Sequence, residues 1–360
     1  MSRHIDGIVH LSKEHEIYQK NESQWKAIII RNQGILYCFL LENGRIIKIN
    51  REEKEAYPIG TVLVGKVTHV LKQTEGAFVR LDGKNTMAYL PLSEKELNCI
   101  KVCNRKPDGR ILQNDDVVVQ IKKEPQKTKP YLVSGILELK EDMQSNRYND
   151  LQGQFEKIDS YGQNRTLYSV LYKPDVFYVE MIHGLSEHGN VEVVTDCVDV
   201  SEHLMSCGIP CRLYEDSRIS LSKIYSFDTK IKELLSKKVY MKSGAYLVIE
   251  PTEALISIDV NSGKAQKNVD HETYSLLVNK EAAKEVAYQL MVRNLSGMIL
   301  VDFINLNCKE SKKELIATLS GEISKDKVTT RFVDMTRLGL AELTRKKTEK
   351  PLSYVLRDWK

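Results

Sequence analysis

Residues 298–306 read MILVDFINL, an apolar run with a carboxylate, Asp302, in its middle. Upstream, ALISIDVNSG (254–263) repeats the arrangement around Asp259. A carboxylate left unpartnered in an apolar strand is costly enough that it neutralises or finds a cation. Between the two runs, residues 271–294 carry apolar side chains at Leu277, Ala283, Val286, Ala287, Leu290 and Met291 and stop before Gly297, the pattern of one long helix. A strand–helix–strand crossover lays two parallel strands close together. Asp259 and Asn261, two apart, share a strand face. If the strands are neighbours, Asp259, Asn261 and Asp302 meet at the carboxyl edge of a sheet, where α/β sites form. Two carboxylates and an amide are hard oxygen donors of the kind that hold Mg²⁺ with help from waters and phosphates. An aspartate at a strand end also caps loops and helices, and spacing alone leaves both readings open.

Outward from this centre the chain alternates. AYLVIE (245–250) and residues 298–304 read as strands, 309–323 as a helix, 328–335 as a strand and 339–347 as a helix. Between 168 and 235, YSVLYK, FYVEMI and NVEVVTD read as strands, with helices near VSEHLMS and FDTKIKELLSKK. Helices returning between apolar strands imply an α/β layer. Near the start, KAIIIR, ILYCFLL and RIIKIN are three short strands with turn residues at Asn32-Gln33-Gly34 and Asn43-Gly44. Residues 59–94 alternate without helical periodicity, and DVVVQIKKE (116–124) adds a further strand, which predicts a small barrel. Residues 140–167 are polar and read as a connection.

Within the barrel stretch, Phe78 and Tyr89 stand beside turns and basic residues. Small barrels of this kind stack the bases of single strands on aromatics beside a positive groove. Residues 101–130 hold eight cations: Lys101, Arg105, Lys106, Arg110, Lys122, Lys123, Lys127 and Lys129. The competing readings are barrel core for Phe78 and a solvated face for the cations.

Composition permits this without demanding it. Of 360 residues 42% are hydrophobic, enough for real cores, and a net charge of +4 is only mildly basic. No apolar run approaches a membrane span, and MSRHIDGIVHLSKEHE lacks the form of a secretory signal. The seven cysteines (Cys38, Cys99, Cys103, Cys197, Cys207, Cys211 and Cys308) are odd in number and scattered. That fits reduced thiols and a cytoplasmic setting rather than disulfides or zinc.

The motifs PTEALISIDVNSGKA (251–265), VRNLSGMILVDFINL (292–306) and MTRLGLAELTRKK (335–347) resemble the catalytic region of the ribonuclease E/G family. Residues 60–92 and 107–124 resemble that family's inserted OB-fold RNA-binding domain. The resemblance implies an α/β multi-domain chain. Residues 1–55 would be the first strands of a ribonuclease-H-like scaffold, 56–136 the OB-fold barrel, 137–238 the rest of the scaffold, and 239–360 a DNase I-like catalytic domain. It also implies a Mg²⁺-dependent endoribonuclease that cuts single-stranded RNA to 5′-phosphate and 3′-hydroxyl ends. By motif, Asp259 and Asp302 would hold the metal and Asn261 would orient the attack. Arg293 and Arg337 would lie near the RNA backbone, and Phe78, Tyr89 and Lys129 would be the barrel contacts. The alternative is an RNA-binding protein of the same fold with weak or no nuclease activity; a deoxyribonuclease or phosphatase is disfavoured by the barrel insertion. Three departures stand out. Asn305 occupies the second acidic position of the family's usual DFID. No cysteine follows Cys308, so a monomer or homodimer is expected rather than a zinc-linked tetramer. The segment before Tyr168 is short for the family's 5′-end sensor, although it contains an Arg165-Thr166 pair.

Overall fold

The structure, a computed structural model, describes residues 25–359 apart from 54–55, 72–74, 107, 126–128, 139–152, 154–155, 159–164, 186–188 and 264–269. The chain divides into two compact units, one formed by Met1–Glu52 with Asn190–Lys360 and the other by Glu53–Gly189.

The first unit begins with a meander of β1 (Trp25–Asn32), β2 (Ile35–Glu42) and β3 (Arg45–Arg51). Its two-residue turns, Gln33-Gly34 and Asn43-Gly44, have positive φ at both positions. That is the turn geometry whose twist matches antiparallel strands, and Asn-Gly accepts it at little cost.

The second unit then runs through β4 (Val62–Leu71), β5 (Gly76–Arg80), β6 (Met87–Pro91), α1 (Glu94–Leu97), β7 (Lys101–Val102), β8 (Asp116–Lys123), β9 (Tyr131–Ser134), β10 (Val170–Tyr172) and α2 (Phe177–His183). The ladder β4-β5-β6-β9-β8 returns through a β8–β4 pairing, so five strands close into a barrel. Leu63, Val67, Val79, Leu90, Val119, Ile121 and Val133 fill its core. Expected as a strand, FYVEMI is instead α2, with Tyr178, Val179, Met181 and Ile182 buried. A six-residue apolar run does not distinguish a buried strand from a short helix, and here the buried positions follow helical spacing. The polar connection expected at 140–167 lies largely outside the described residues.

The first unit resumes with β11 (Val191–Thr195), α3 (Val198–Ser206), β12 (Arg212–Leu213), α4 (Leu221–Ile224) and α5 (Phe227–Leu235). β11 pairs in parallel with β1, Trp25 opposite Val191 through Ile29 opposite Thr195. The sheet β12-β11-β1-β2-β3 therefore draws strands from both sides of the intervening unit. Next come β13 (Lys238–Tyr240), β14 (Tyr246–Pro251), β15 (Ile256–Asn261), α6 (His271–Val292), β16 (Gly297–Asp302), α7 (Lys309–Ile323), β17 (Thr330–Met335), β18 (Leu340–Arg345) and α8 (Leu352–Val355). The strands among them build a second sheet in the order β13-β14-β15-β16-β18-β17, in which β15 and β16 run parallel and the other neighbours antiparallel.

α6 belongs to both layers. Val278, Ala282, Ala283, Val286 and Leu290 pack in the core of the six-stranded sheet. Val292 and the ring of Tyr288 join the core of the five-stranded one, where Tyr288 Oη donates to the Ile46 carbonyl at 2.7 Å. A helix apolar on more than one side is one buried between two partners.

Residues 339–347, expected as a helix, form β18. Leu and Ala favour helix locally, but Ala341, Leu343 and Arg345 are buried at period two and the strand is paired on both sides. Ladder formation and one-sided burial outweigh a propensity difference of a few tenths of a kcal/mol per residue. Gly339, at φ +89°, closes the turn that separates β17 from β18.

Arg345 locks this end of the sheet. Its side chain is 2% exposed; Nε reaches Asp326 at 2.7 Å and Nη1 reaches Asn294 Oδ1 at 2.6 Å. Removing one member of a buried ion pair strands the other charge, at a cost of about 3–5 kcal/mol. Asp326→Ala should lower the unfolding free energy by that amount in urea titration, whereas Lys237→Ala, whose pairing with Glu250 is exposed, should change it by less than about 1 kcal/mol.

Candidate active site

The strand residues alternate cleanly. Ile256, Ile258 and Val260 of β15 and Ile299 and Val301 of β16 face the helices; Asp259 and Asp302 point to the opposite face and are exposed. The expectation of carboxylates buried in apolar strands is thus corrected: each strand is buried on one side only. What calls for a cation is their juxtaposition. Asp259 and Asp302 are direct register partners across the parallel β15–β16 ladder. Register partners on neighbouring strands share a face at a spacing of about 4.8 Å, and like charges placed so repel. Among the described residues neither carboxylate has a cationic side-chain partner.

Asn261 stands at the end of β15, and its Nδ2 donates to Asp259 Oδ2 at 2.7 Å. The amide thereby fixes one carboxylate oxygen and leaves its own carbonyl oxygen available. Among the described residues no three histidine, cysteine or acidic side chains gather into a metal cluster. Two carboxylates with one amide nonetheless meet the modest protein requirement of Mg²⁺, which keeps waters and phosphate oxygens for its other positions. The residues present fit that ion.

α6 holds the loop that follows Asp302. Asn279, fully buried, donates from Nδ2 to the Ile304 carbonyl at 2.7 Å and accepts from the Ile304 amide at 3.0 Å. Two turns earlier, Glu272 accepts from the backbone amides of Asn307 (2.9 Å) and Cys308 (3.0 Å), where α7 begins. Those amides hold the Glu272 carboxyl below its ordinary range, as donors at a helix start do for an anion. The helix itself starts at Asp270, whose carboxylate caps the Thr273 amide.

Arg337 is exposed in the turn before Leu340, the register partner of Asp302. A Cβ built on Gly339 of that turn would stand 3.9 Å from Asn305 Oδ1. Arg337 and Asn305 therefore border the same sheet edge as Asp302. The structure does not bring Arg293 there. Arg293 is buried at the end of α6, donating to Gln289 Oε1 at 2.5 Å and to the Ser236 carbonyl at 2.8 Å. Burial pushes its guanidinium down to about 10, against the opposing charge of Glu285. A basic residue in a helix-ending motif looks the same in sequence whether it faces solvent or core.

In the barrel, Phe78 and Tyr89 are cross-strand partners on β5 and β6, half-buried, with ring centroids 6.1 Å apart at 71°. Ala77, Val79, Ala88 and Leu90 alternate with them and fill the core. Both rings lie on the outer surface, so the core reading for Phe78 fails. Gly76 is required there: a Cβ would come within 2.3–2.5 Å of the Tyr89 ring. His69, exposed, is the register partner of Phe78 on β4 and extends the row. Lys129 is exposed beside β9. Two of the eight expected cations are paired within the chain. Arg105 grips the buried Asp115 through Nε (2.7 Å) and Nη2 (2.8 Å), and Lys122 pairs with Glu138 at 2.8 Å. Arg165 donates to the Ile158 carbonyl at 2.7 Å.

The fold and site define an α/β chain that carries a closed five-stranded barrel and a sheet bearing two registered carboxylates at a strand edge. The profile of the Ribonuclease E/G family matches residues 136–348, and the chain belongs to that family. Over 137 residues it is 39% identical to Ribonuclease G of Haemophilus influenzae, covering 38% of this chain and 28% of that protein. It is 36% identical over 135 residues to Ribonuclease G of Escherichia coli K12 (37% and 27%), and 30% identical over 209 residues to Ribonuclease E of Synechocystis (55% and 31%). The matched stretches thus span under a third of each relative's length.

Asn279→Ala should strand the Ile304 amide and carbonyl, costing about 1–3 kcal/mol per unsatisfied group. In hydrogen-exchange measurements the amides of 303–308 should lose protection before those of β15, whose ladder the substitution does not touch.

Proposed function

We propose that this chain is an endoribonuclease that cuts single-stranded RNA with the aid of Mg²⁺. The observation that carries the reading is the in-register pairing of Asp259 with Asp302 on an open sheet face, within a chain of a family whose relatives are named ribonucleases. In this reading the sheet with α6 and α7 corresponds to the family's DNase I-like catalytic domain. The sheet β12-β11-β1-β2-β3 corresponds to the ribonuclease-H-like scaffold, and the barrel to its OB-fold insertion.

Asp259 and Asp302 would hold the ion, which when bound supplies positive charge to the scissile phosphate. Asn261, already hydrogen-bonded to Asp259, keeps one donor atom of that set fixed and offers its amide to the attacking water or to a phosphate oxygen. Arg337, at the same edge, supplies donors for phosphate charge that grows during the reaction. Asn305 removes one negative charge that the family's usual aspartate would bring, which tunes the edge while the Asp259–Asp302 pair is retained. Products with 5′-phosphate and 3′-hydroxyl ends result when water attacks phosphorus with the 3′-oxygen as leaving group. On the barrel, Phe78 and Tyr89 offer ring faces to unstacked bases, with Lys129 as a backbone contact.

Two measurements test this. Purified protein should cut a labelled single-stranded oligoribonucleotide in Mg²⁺ and fail to do so in EDTA. Asp259→Asn or Asp302→Asn should each slow cutting by two to three orders of magnitude, the equivalent of several kcal/mol of charge stabilisation. Wild-type rates in both variants would remove the assignment. Separately, Phe78→Ala should weaken binding of the oligonucleotide by about 1–3 kcal/mol while its thermal midpoint stays close to that of the wild type, because the ring lies outside the barrel core.

A further inference from the structure

The open face of the six-stranded sheet does not end at the carboxylates. Row by row across the strands, Lys238 of β13 pairs with Val248 of β14, which pairs with Asp259; Tyr240 pairs with Tyr246, which pairs with Asn261. Lys238, Tyr240 and Tyr246 therefore occupy the same face as the candidate site, two strands and one strand away. Two strand spacings are roughly 10 Å. Tyr240 is 70% exposed. The Tyr240 and Tyr246 rings lie 5.9 Å apart at 53°. Lys238 Nζ stands 3.6 Å from the Tyr246 ring centroid and 4.9 Å from that of Tyr240.

An edge strand is guarded against unwanted pairing by a lysine alone. Here the lysine is accompanied by two tyrosines whose rings are held in place by a cation, and those rings add no core. Aromatic faces beside a cation are what single-stranded nucleic acid uses, since every base has a π-face and every linkage a negative charge. We propose that Lys238, Tyr240 and Tyr246 form a base-stacking platform for a nucleotide flanking the scissile bond, with Lys238 facing the adjacent phosphate. The proposal rests on the reading of this sheet face as an RNA-cutting site and deepens it. It gives the substrate a second hold on the catalytic sheet itself. The hold also has a register, because the distance from Tyr240 to the Asp259–Asp302 pair is fixed by strand spacing.

The test uses the full chain and a fluorescein-labelled single-stranded oligoribonucleotide, read by anisotropy in EDTA so that no cutting intervenes. Tyr240→Ala should weaken binding roughly 5- to 150-fold, the loss of one stacked base, while Tyr240→Phe should remain within about twofold of wild type. A series of oligonucleotides, each with one base replaced by an abasic residue, locates the stacked base. Wild type should lose affinity at a particular position, and Tyr240→Ala should not lose more there. Equal binding by wild type and Tyr240→Ala overturns the platform, whether or not the chain cuts RNA. A chain that does not cut, yet shows the tyrosine-dependent loss at one abasic position, keeps the platform as a single-strand binding site and overturns the nuclease reading, and with it the placement beside a scissile bond. Exposure of Tyr240 makes misfolding an unsuitable explanation of a loss, and matched circular dichroism of the two Tyr240 variants checks it.

Discussion

The structure depends on one constraint, the parallel pairing of β15 with β16. An antiparallel partner is reached by a tight turn, but a parallel one requires a crossover. α6 provides it, and at 22 residues it is long enough to cross the sheet and serve a second layer as well. The register of that single ladder sets Asp259 opposite Asp302. A slip of one residue would turn a carboxylate toward the helices and an isoleucine or valine toward solvent. The burial of Ile258, Val260, Ile299 and Val301 in one cluster forbids the slip. Hydrophobic packing on one face thus enforces a repulsive arrangement on the other, which the fold tolerates because that face is wet.

The same helix disciplines the loop beyond the ladder. Asn279 replaces a missing strand partner for Ile304, and Glu272 satisfies the first amides of α7. The loop from Phe303 to Cys308 departs from the sheet with these backbone groups paired, and Asn305 is presented at the edge beside the Gly339 turn. In the proposed reading, chemistry on this edge would draw on residues from β15, β16 and the β17–β18 turn, and the strands that carry them are held by packing on the far side of the sheet.

Much of this was legible in the sequence because strong periodicity and strand-end carboxylates are local signals. The helix from 271 and the helix over 309–323 are readable from their apolar spacing, and the Asp259 and Asp302 runs from their composition. What failed were decisions that depend on neighbours. The β18 stretch is helix-favouring and becomes a strand only because β16 and β17 flank it. FYVEMI is too short to declare its period. Arg293 is indistinguishable by sequence from a solvent-facing cation, and only the structure places it buried against Gln289 and the Ser236 carbonyl. The carboxylates were readable as a pair but not as exposed, since a strand buried on one face and a strand buried on both can carry the same apolar run. The tyrosine–lysine group on β13 and β14 carried no motif; alternation in KVY and YLV could have indicated a shared face, but not which face.

The most direct measurement of the central claim is a crystal soaked in Mn²⁺, a stand-in for Mg²⁺ with an anomalous signal. The account predicts a peak on the open face within coordination distance of both the Asp259 and Asp302 carboxylates, absent in a crystal of Asp302→Asn. A fully occupied peak elsewhere, or none between these two side chains at saturating Mn²⁺, would contradict it.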